Sequence, residues 1–280
     1  MTFITRFAPS PTGPLHLGHA YSAMLAHDRA QAEGGTFLLR IDDLDQSRAR
    51  DHWEAQIYDD LAWLGLTWET PVRRQSDHFA DYDATLRKLS EMGLTYACTC
   101  TRRDIEAAAN APQEGVPQFG PDGRIYPGTC RDAGHPYSDA KCIRLNMRAA
   151  CEPALPAHFE ESGPDHSGTH ALDLDAMVST VGDVVLARPN MAASYHLSVV
   201  LDDAATGVTD IIRGADLFEA TAVHVVLQNL LGLPTPSYHH HKLIRDEKGK
   251  RLAKRDDARA IAKYREEGAT PADIRAMVGL

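Results

Sequence analysis

Two imidazoles bracket a Leu-Gly pair in His16-Leu17-Gly18-His19, and near the other end of the chain stands Lys250-Arg251-Leu252-Ala253-Lys254-Arg255. Both patterns suit anion chemistry. The first follows the proline-broken loop Pro9-Ser10-Pro11-Thr12-Gly13-Pro14 and leads into an apolar helical pattern. A helix start offers backbone N–H groups and the positive end of its dipole, and two histidines one turn apart add donors for phosphate oxygens as charge moves. Gly18 keeps side-chain bulk away from an approaching base or ribose. The second pattern follows a Lys-Gly turn, where a basic loop is able to close over a triphosphate and neutralise a leaving pyrophosphate. Taken singly, His-Leu-Gly-His also describes a surface cap, and the basic run a solvated face. Together they point to a nucleoside triphosphate.

A separate constellation is Cys98-Thr99-Cys100 followed by Cys130. Three thiolates suit zinc, and closed four-coordination would make the site structural. Spacing alone makes His135 the conventional fourth ligand, and three buried free thiols are the competing reading. Cys142 and Cys151 stand outside this pattern. The run His239-His240-His241 also invites a metal, but alternate side chains of a strand face opposite ways, so nucleotide contact or burial is favoured.

The elements that must position these groups alternate. Residues 2–8 read as a short buried strand, residues 20–32 as a helix closed by Gly34-Gly35, and Thr36 to Asp42 as an apolar strand ended by acids. Ser47 is placed to cap a helix carrying Trp53, Ile57, Leu61 and Leu64, and Asp77 to Met92 forms another. Residues 107–124, poor in large apolar side chains and rich in Pro and Gly, read as a loop. Apolar segments resume at 142–147 and 182–189. Between 194 and 214 two more flank an Ala-Thr-Gly turn, followed by a helix over Asp216 to Leu231 with Gly232 as its stop, a strand at 239–244 and short terminal helices. The fold class is α/β.

The 280 residues carry 43% hydrophobic and 24% charged side chains, the balance of an ordinary globular protein, and no run of about 18 apolar residues. No membrane span is expected, no secretory leader is recognisable, and five cysteines without a paired framework suit a reducing, cytoplasmic setting. The net charge of −10 opposes nucleic-acid binding in bulk, yet Lys242 to Arg265 holds ten Lys or Arg against four Asp or Glu. One face can therefore still attract a polyanion.

The stretch 6–19 and the basic loop resemble the HIGH and KMSKS signatures of class I aminoacyl-tRNA synthetases of the glutamyl branch. The similarity extends through residues 40–45, 194–217 and 239–254. The basic loop departs from the pattern at Arg251 and Ala253, while Lys254 stands where the family places its ATP-binding lysine. The resemblance implies a Rossmann-type parallel sheet with a small zinc-containing insert. It implies His16, Gly18, His19 and Lys254 at ATP, with His16, His19 and Lys254 catalytic and Mg²⁺ accompanying the nucleotide. It also assigns Arg6, Phe7, Ala8, Pro9, Ser10, Asp42, Tyr195 and Arg213 to L-glutamate. Such a substrate, with two carboxylates and one ammonium, needs planar bidentate donors and an acid, and the types at Arg6, Arg213 and Asp42 agree. Asp42 is shorter than the Glu frequent there, and its neighbour Asp43 belongs to the opposite side of a strand. The resemblance further makes Tyr126 the fourth metal ligand with Cys98, Cys100 and Cys130, leaving His135 as the alternative.

On this reading residues 1–95 and 181–255 build the catalytic domain, 96–180 the zinc-containing insert, and 256–280 a helical tail, with no anticodon-binding domain. That architecture is similar to a branch of the family that places glutamate on the queuosine base at the wobble position of tRNA(Asp). The implied partners are ATP, L-glutamate and the tRNA(Asp) anticodon loop, received by a monomer. A compact enzyme charging tRNA(Glu), and a nucleotidyltransferase or ligase without tRNA, are the alternatives.

Overall fold

The computed structural model describes residues 2–109, 119–121, 123–152, 157–244 and 259–280. Arg251, Ala253 and Lys254, and with them the expected basic loop, lie outside the described residues.

The first unit is strand, helix, strand. β1 (Ile4–Phe7) runs parallel to β2 (Thr36–Ile41), with Arg6 opposite Leu38, and α1 (Leu17–Ala32) makes the crossover. α1 buries Met24 together with Ala20, Ala23, Ala26 and Ala30, four small side chains that let the helix lie close to the sheet. α2 (Asp51–Trp63) then leads to β3 (Arg73–Arg74), parallel to β2, and α3 (Phe79–Glu91) follows a single 3₁₀ turn. The cap of α2 is Arg50 rather than Ser47. Ser47 instead spends its hydroxyl and its backbone N–H on Asp45, in the preceding turn.

β4 (Thr95–Cys98) opens a different layer, continued by α4 (Arg102–Ala109), the short hairpin of β5 (Phe119–Gly120) and β6 (Gly123–Arg124), β7 (Cys142–Leu145) and α5 (Met147–Cys151). Next come β8 (His158–Glu161), β9 (Gly168–Ala171), α6 (Leu174–Thr180) and β10 (Val185–Ala187). β7 pairs antiparallel with both β4 and β10. The pairings cross the sequence boundary placed at residue 180: β10 belongs to this antiparallel layer, while β8 extends the parallel sheet and carries β9 antiparallel at its edge.

Of the two apolar stretches around Ala-Thr-Gly, the first is a helix, α7 (Tyr195–Ala205), and the second is β11 (Asp210–Gly214). Ser194 caps α7, and its Oγ accepts from the Leu197 N–H. α8 (Thr221–Leu231) starts after a 3₁₀ turn at 215–217, not at Asp216, and stops at Gly232, whose φ of 68° closes the last turn at no Cβ cost. β12 (Ser237–His241) lies parallel to β11 on one side and β8 on the other. The chain ends with α9 (Ile261–Glu266) and α10 (Pro271–Val278), the latter held to α1 by Arg275 bidentate to Asp28.

β1 meets the start of β11 through the Thr209 N–H to the Ile4 carbonyl, 2.9 Å, and the Ile4 N–H to Thr209 Oγ1, 2.8 Å. Strand order is thus β3-β2-β1 beside β11-β12-β8, with the succession reversing at β1 and β11. In open α/β sheets the crevice beyond the carboxyl ends of strands at such a reversal is where ligands bind.

Candidate active site

A cavity of about 590 Å³ opens at that reversal. It is reached by Arg6 and Phe7 at the end of β1, Arg40 and Asp42 at the end of β2, Ile212 and Arg213 at the end of β11, and Tyr195 at the start of α7. Ala8 and Ser10 join from the loop after β1. Of the eight positions expected around glutamate, Pro9 does not line this space. Its carbonyl instead accepts the Asp42 N–H at 3.0 Å, tying the loop to the end of β2.

One wall is a closed ion network. Arg6 donates through Nε and Nη2 to the two oxygens of Asp203, at 2.9 and 3.1 Å, and Arg40 reaches Asp203 Oδ1 at 2.6 Å and Asp42 Oδ1 at 2.7 Å. Behind it Asp202 accepts from Arg73, Gln75 and Tyr82. Burial would raise the Asp203 pKa, but the Arg6 and Arg40 guanidiniums outweigh it and hold the carboxyl below its usual range. At Asp42 burial dominates and moves the pKa up despite Arg40. Asp43 sits outside the cavity and accepts the Ser76 N–H at 2.8 Å.

The other wall is different in kind. Arg213 donates Nε–H to His240 Nε2 at 3.0 Å and Nη2–H to Thr221 Oγ1 at 2.7 Å and to the Leu217 carbonyl at 3.2 Å, while its Nη1 lies 3.2 Å from His224 Nδ1. Among the described residues no carboxylate pairs with it directly. Because His240 Nε2 accepts, the ring proton sits on Nδ1, which donates to buried Glu161. Glu161 also accepts the His240 backbone N–H. Burial, with Arg213 next to it, lowers the His240 pKa to about 4 and takes His224 well below the ordinary value, so both rings are neutral near pH 7. Gly163 makes this possible, since a Cβ there would stand 2.2 Å from the His240 carbonyl oxygen and 2.7 Å from Glu161 Oε1.

The cavity extends along α1 to Ser22, whose hydroxyl meets His241 Nε2 at 2.7 Å. Six residues earlier His16 occupies the N-cap position of α1, with its ring stacked on His19 at 3.7 Å and its backbone N–H directed to His19 Nδ1 at 3.2 Å. Gly18 favours this fold-back, because a Cβ there would stand 3.1 Å from the His16 ring and push it aside. Segment 259–261 returns to the same place: Ala260 bridges His16, and the Ile261 N–H donates to the Leu15 carbonyl at 2.8 Å. His240 and His241 are buried on opposite faces of β12, one toward Arg213 and the other toward α1, and neither joins a metal-ligand cluster among the described residues.

The sulfurs of Cys98, Cys100 and Cys130 lie within 4.8 Å of one another, with Cys100 and Cys130 at 3.4 Å. The Tyr126 oxygen is 3.4 Å from both Cys98 and Cys100 sulfurs and accepts the Cys130 N–H at 2.9 Å. Zinc at about 2.3 Å from sulfur and 2.0 Å from oxygen would need donor separations of roughly this size, so the four side chains fit a tetrahedral ion. His135 does not belong to the cluster. Burial pushes the Cys100 thiol up to about 11, whereas at Cys130 hydrogen bonds from Tyr126 and Thr99 overcome burial and bring it to about 6.

Sequence reasoning assigned no role to Arg40, Asp203, Glu161 or His224. A signal existed for the first two: Arg40 interrupts the apolar run 37–41 and Asp202-Asp203 follow Val199-Val200-Leu201, and buried charges must be paired. Nothing in the spacing linked Glu161 to a histidine of β12.

Residues 2–154 and 158–280 match the family model described as tRNA synthetases class I (E and Q), catalytic domain, and the chain belongs to this family. Similar proteins sharpen the placement. A "Glutamyl-Q tRNA(Asp) synthetase" of Rhodobacter capsulatus is 62% identical over 281 residues, covering 99% of this chain and 100% of that protein. Another, from Nocardia farcinica, is 42% identical over 98% of this chain and 82% of its own length. A crystal structure of a glutamate tRNA ligase from Elizabethkingia meningosepticum, in complex with its amino acid, superposes with a TM-score of 0.74 at 26% identity, over 99% of this chain but 60% of that one. A Mycobacterium tuberculosis methionyl-tRNA synthetase, 12% identical with a TM-score of 0.60, shares the fold. The α/β fold with its parallel sheet is that of a class I catalytic domain, and the chain is a ligase of the glutamyl-tRNA synthetase type. No helix among the described residues is long and apolar enough to cross a membrane.

Proposed function

We propose that the protein activates L-glutamate with ATP, supplied as its Mg²⁺ complex, and transfers the glutamyl group to the queuosine base at the wobble position of tRNA(Asp). The observation that carries this reading is the convergence of Arg6, Asp42, Tyr195 and Arg213 on one cavity that reaches Ser22 of α1, whose hydroxyl donates to the Gly18 carbonyl at 3.1 Å. The names carried by the Rhodobacter and Nocardia relatives supply the acceptor.

In the first step an oxygen of the glutamate α-carboxylate attacks the α-phosphorus of ATP. The bond to the bridging oxygen breaks, and pyrophosphate leaves with the electron pair. His16, His19 and Lys254 stabilise the charge that develops, and Arg213 and Asp42 orient the amino acid. In the second step a hydroxyl of the modified base attacks the acyl carbon of the adenylate, forming an ester and releasing AMP, while its proton passes to solvent or phosphate. Cys98, Cys100, Cys130 and Tyr126 would hold a zinc ion whose chemistry is structural.

The test uses labelled glutamate, ATP and an isolated tRNA(Asp) anticodon stem-loop, which has no 3′ acceptor end. Label is expected on the queuosine stem-loop and absent from the guanosine version. Label on full-length tRNA(Glu) alone would favour 3′ charging, and glutamate-dependent pyrophosphate exchange without any labelled RNA would favour a ligase that uses no tRNA.

A further inference from the structure

A second cavity of about 500 Å³ lies beside the first, and the two share Val185 and Arg188 in their walls. Its other lining side chains come from the antiparallel layer, and five of its residues are cations: Arg102 on α4, Arg124 on β6, Lys141 and Arg144 at β7, and Arg188 after β10. Two acids face them, Glu106 and Asp183. Asp183 is already compensated. Its Oδ2 accepts from Arg131 at 2.9 Å and from the Tyr96 hydroxyl, and its Oδ1 accepts the Met147 N–H at 2.9 Å. The cavity therefore holds a clear surplus of positive charge in a chain whose net charge is −10.

Arg144 distinguishes this space from a patch of surface lysines. It is 8% exposed, stacks over the Tyr126 ring at 3.8 Å, and donates Nη1–H to the Asp183 carbonyl at 2.7 Å. The Cys98 sulfur also faces it. Its Nε, buried, has no hydrogen-bond partner among the described residues, and the same is true of Arg124 Nη1. The lining cations thus include two whose guanidiniums the protein does not fully satisfy by itself.

We propose that this second cavity is a phosphodiester subsite, which holds the backbone of the RNA acceptor while the base to be modified enters the glutamate cavity past Arg188. The inference rests on the tRNA reading above and adds where the strand runs. The cations come from four separate elements, an arrangement suited to successive phosphates of one strand. Contact with phosphates positions a strand without reading its sequence. An acidic protein that binds a polyanion must concentrate its cations where the strand lies, because binding strength follows the counterions released there.

Lys141→Ala, Arg124→Ala and the double variant test this, with pyrophosphate exchange and the thermal transition confirming that glutamate activation and folding are kept. Binding of a fluorescent tRNA(Asp) anticodon stem-loop is measured by anisotropy between 50 and 200 mM KCl, conditions chosen where salt dependence is steep (about one unit of log–log slope per phosphate contact). Each single variant is expected to weaken binding of queuosine and guanosine stem-loops alike and to lower the slope by about one, and the double variant by about two. Wild-type affinity and slope in the double variant would overturn the subsite. So would equal weakening of inorganic pyrophosphate inhibition, which would assign the cavity to a free phosphate ligand. Failure of the wild type to glutamylate queuosine RNA, with the slope changes intact, would count against the acceptor assignment and leave the strand path standing.

Discussion

The two cationic walls of the cavity at the strand reversal hold their arginines in opposite ways. On the β1–β2 side Arg6 and Arg40 are matched by Asp203 and Asp42, carboxylates in direct contact. On the β11 side Arg213 is surrounded by His240, His224, Thr221 and a carbonyl, and the carboxylate of Glu161 is one imidazole away. A guanidinium already bidentate to an aspartate is largely neutralised before a ligand arrives. One that donates to neutral acceptors keeps its field for an incoming carboxylate. On the proposed function the first wall shapes the cavity and presents Asp42 to the substrate, and the second supplies positive charge for a substrate carboxylate.

The largest effect that follows falls on stability. Asp203→Ala leaves Arg6 and Arg40 buried with reduced compensation, and loss of one partner from such a network costs about 3–5 kcal/mol. Urea unfolding should show that loss, and a change within about 0.5 kcal/mol would break the contrast between the walls. Arg213→Ala should act mainly on the ligand. Glutamate-dependent pyrophosphate exchange is expected to fall by roughly 10²–10³ in kcat/KM, the equivalent of about 3–4 kcal/mol for a desolvated charge contact. An Arg213→Ala enzyme with exchange within tenfold of wild type would move the recognition of glutamate back to Arg6.

The relay through His240 has a pH signature. His240 is held at about 4 and His224 well below its ordinary value, whereas an unfolded histidine takes up its proton near 6.5. Below that pH the unfolded chain binds protons that the folded chain does not, so stability falls as pH drops from about 6.5 toward 4. The slope is up to about 1.4 kcal/mol per pH unit for each histidine. Asp203, with its folded pKa depressed, adds a loss of the same sign once pH falls through the unfolded carboxylate range near 4. His240→Gln should flatten the upper part of that slope, and unfolding midpoints measured from pH 7.5 to 4.5 read it. Glu161→Gln should raise KM for glutamate more than it lowers kcat, because it changes what holds Arg213 and touches no reacting atom.

This contrast also marks how far the amino-acid sequence could be read. The crossover around α1, the strand ending at Asp42 and the α8 stop at Gly232 follow from local periodicity and turn chemistry, which act over a few residues. Resemblance placed Arg6, Asp42, Tyr195 and Arg213 on one list, and the strand reversal brings them to one cavity. The partners of those residues were not legible, because Asp203 lies 197 positions from Arg6 and Glu161 lies 79 from His240. Such pairings are decided by sheet order and not by spacing. Ser47 failed as a cap for the opposite reason, since Asp45, two residues away, offered its hydroxyl a nearer partner.

The smallest effect on glutamate activation is expected at the cysteine cluster. Cys130→Ser removes one of three clustered sulfurs, and bound zinc measured by elemental analysis should drop with it. Backbone exchange in β4 and β7 should quicken, because Cys98 and Cys142 lie opposite each other in that ladder and the metal would brace its end. Glutamate-dependent pyrophosphate exchange should stay within about twofold, the scatter expected for sites without shared partners. The reason is structural: the cluster packs with Tyr96, Ile105 and Val185, while Arg213 and its histidines pack against β8, β11 and α8. Val185, which lines both cavities, also touches the cluster. If zinc loss lowered exchange as far as Arg213→Ala does, the two sites would be coupled, and Val185→Ala in the zinc-loaded protein would test Val185 as the route.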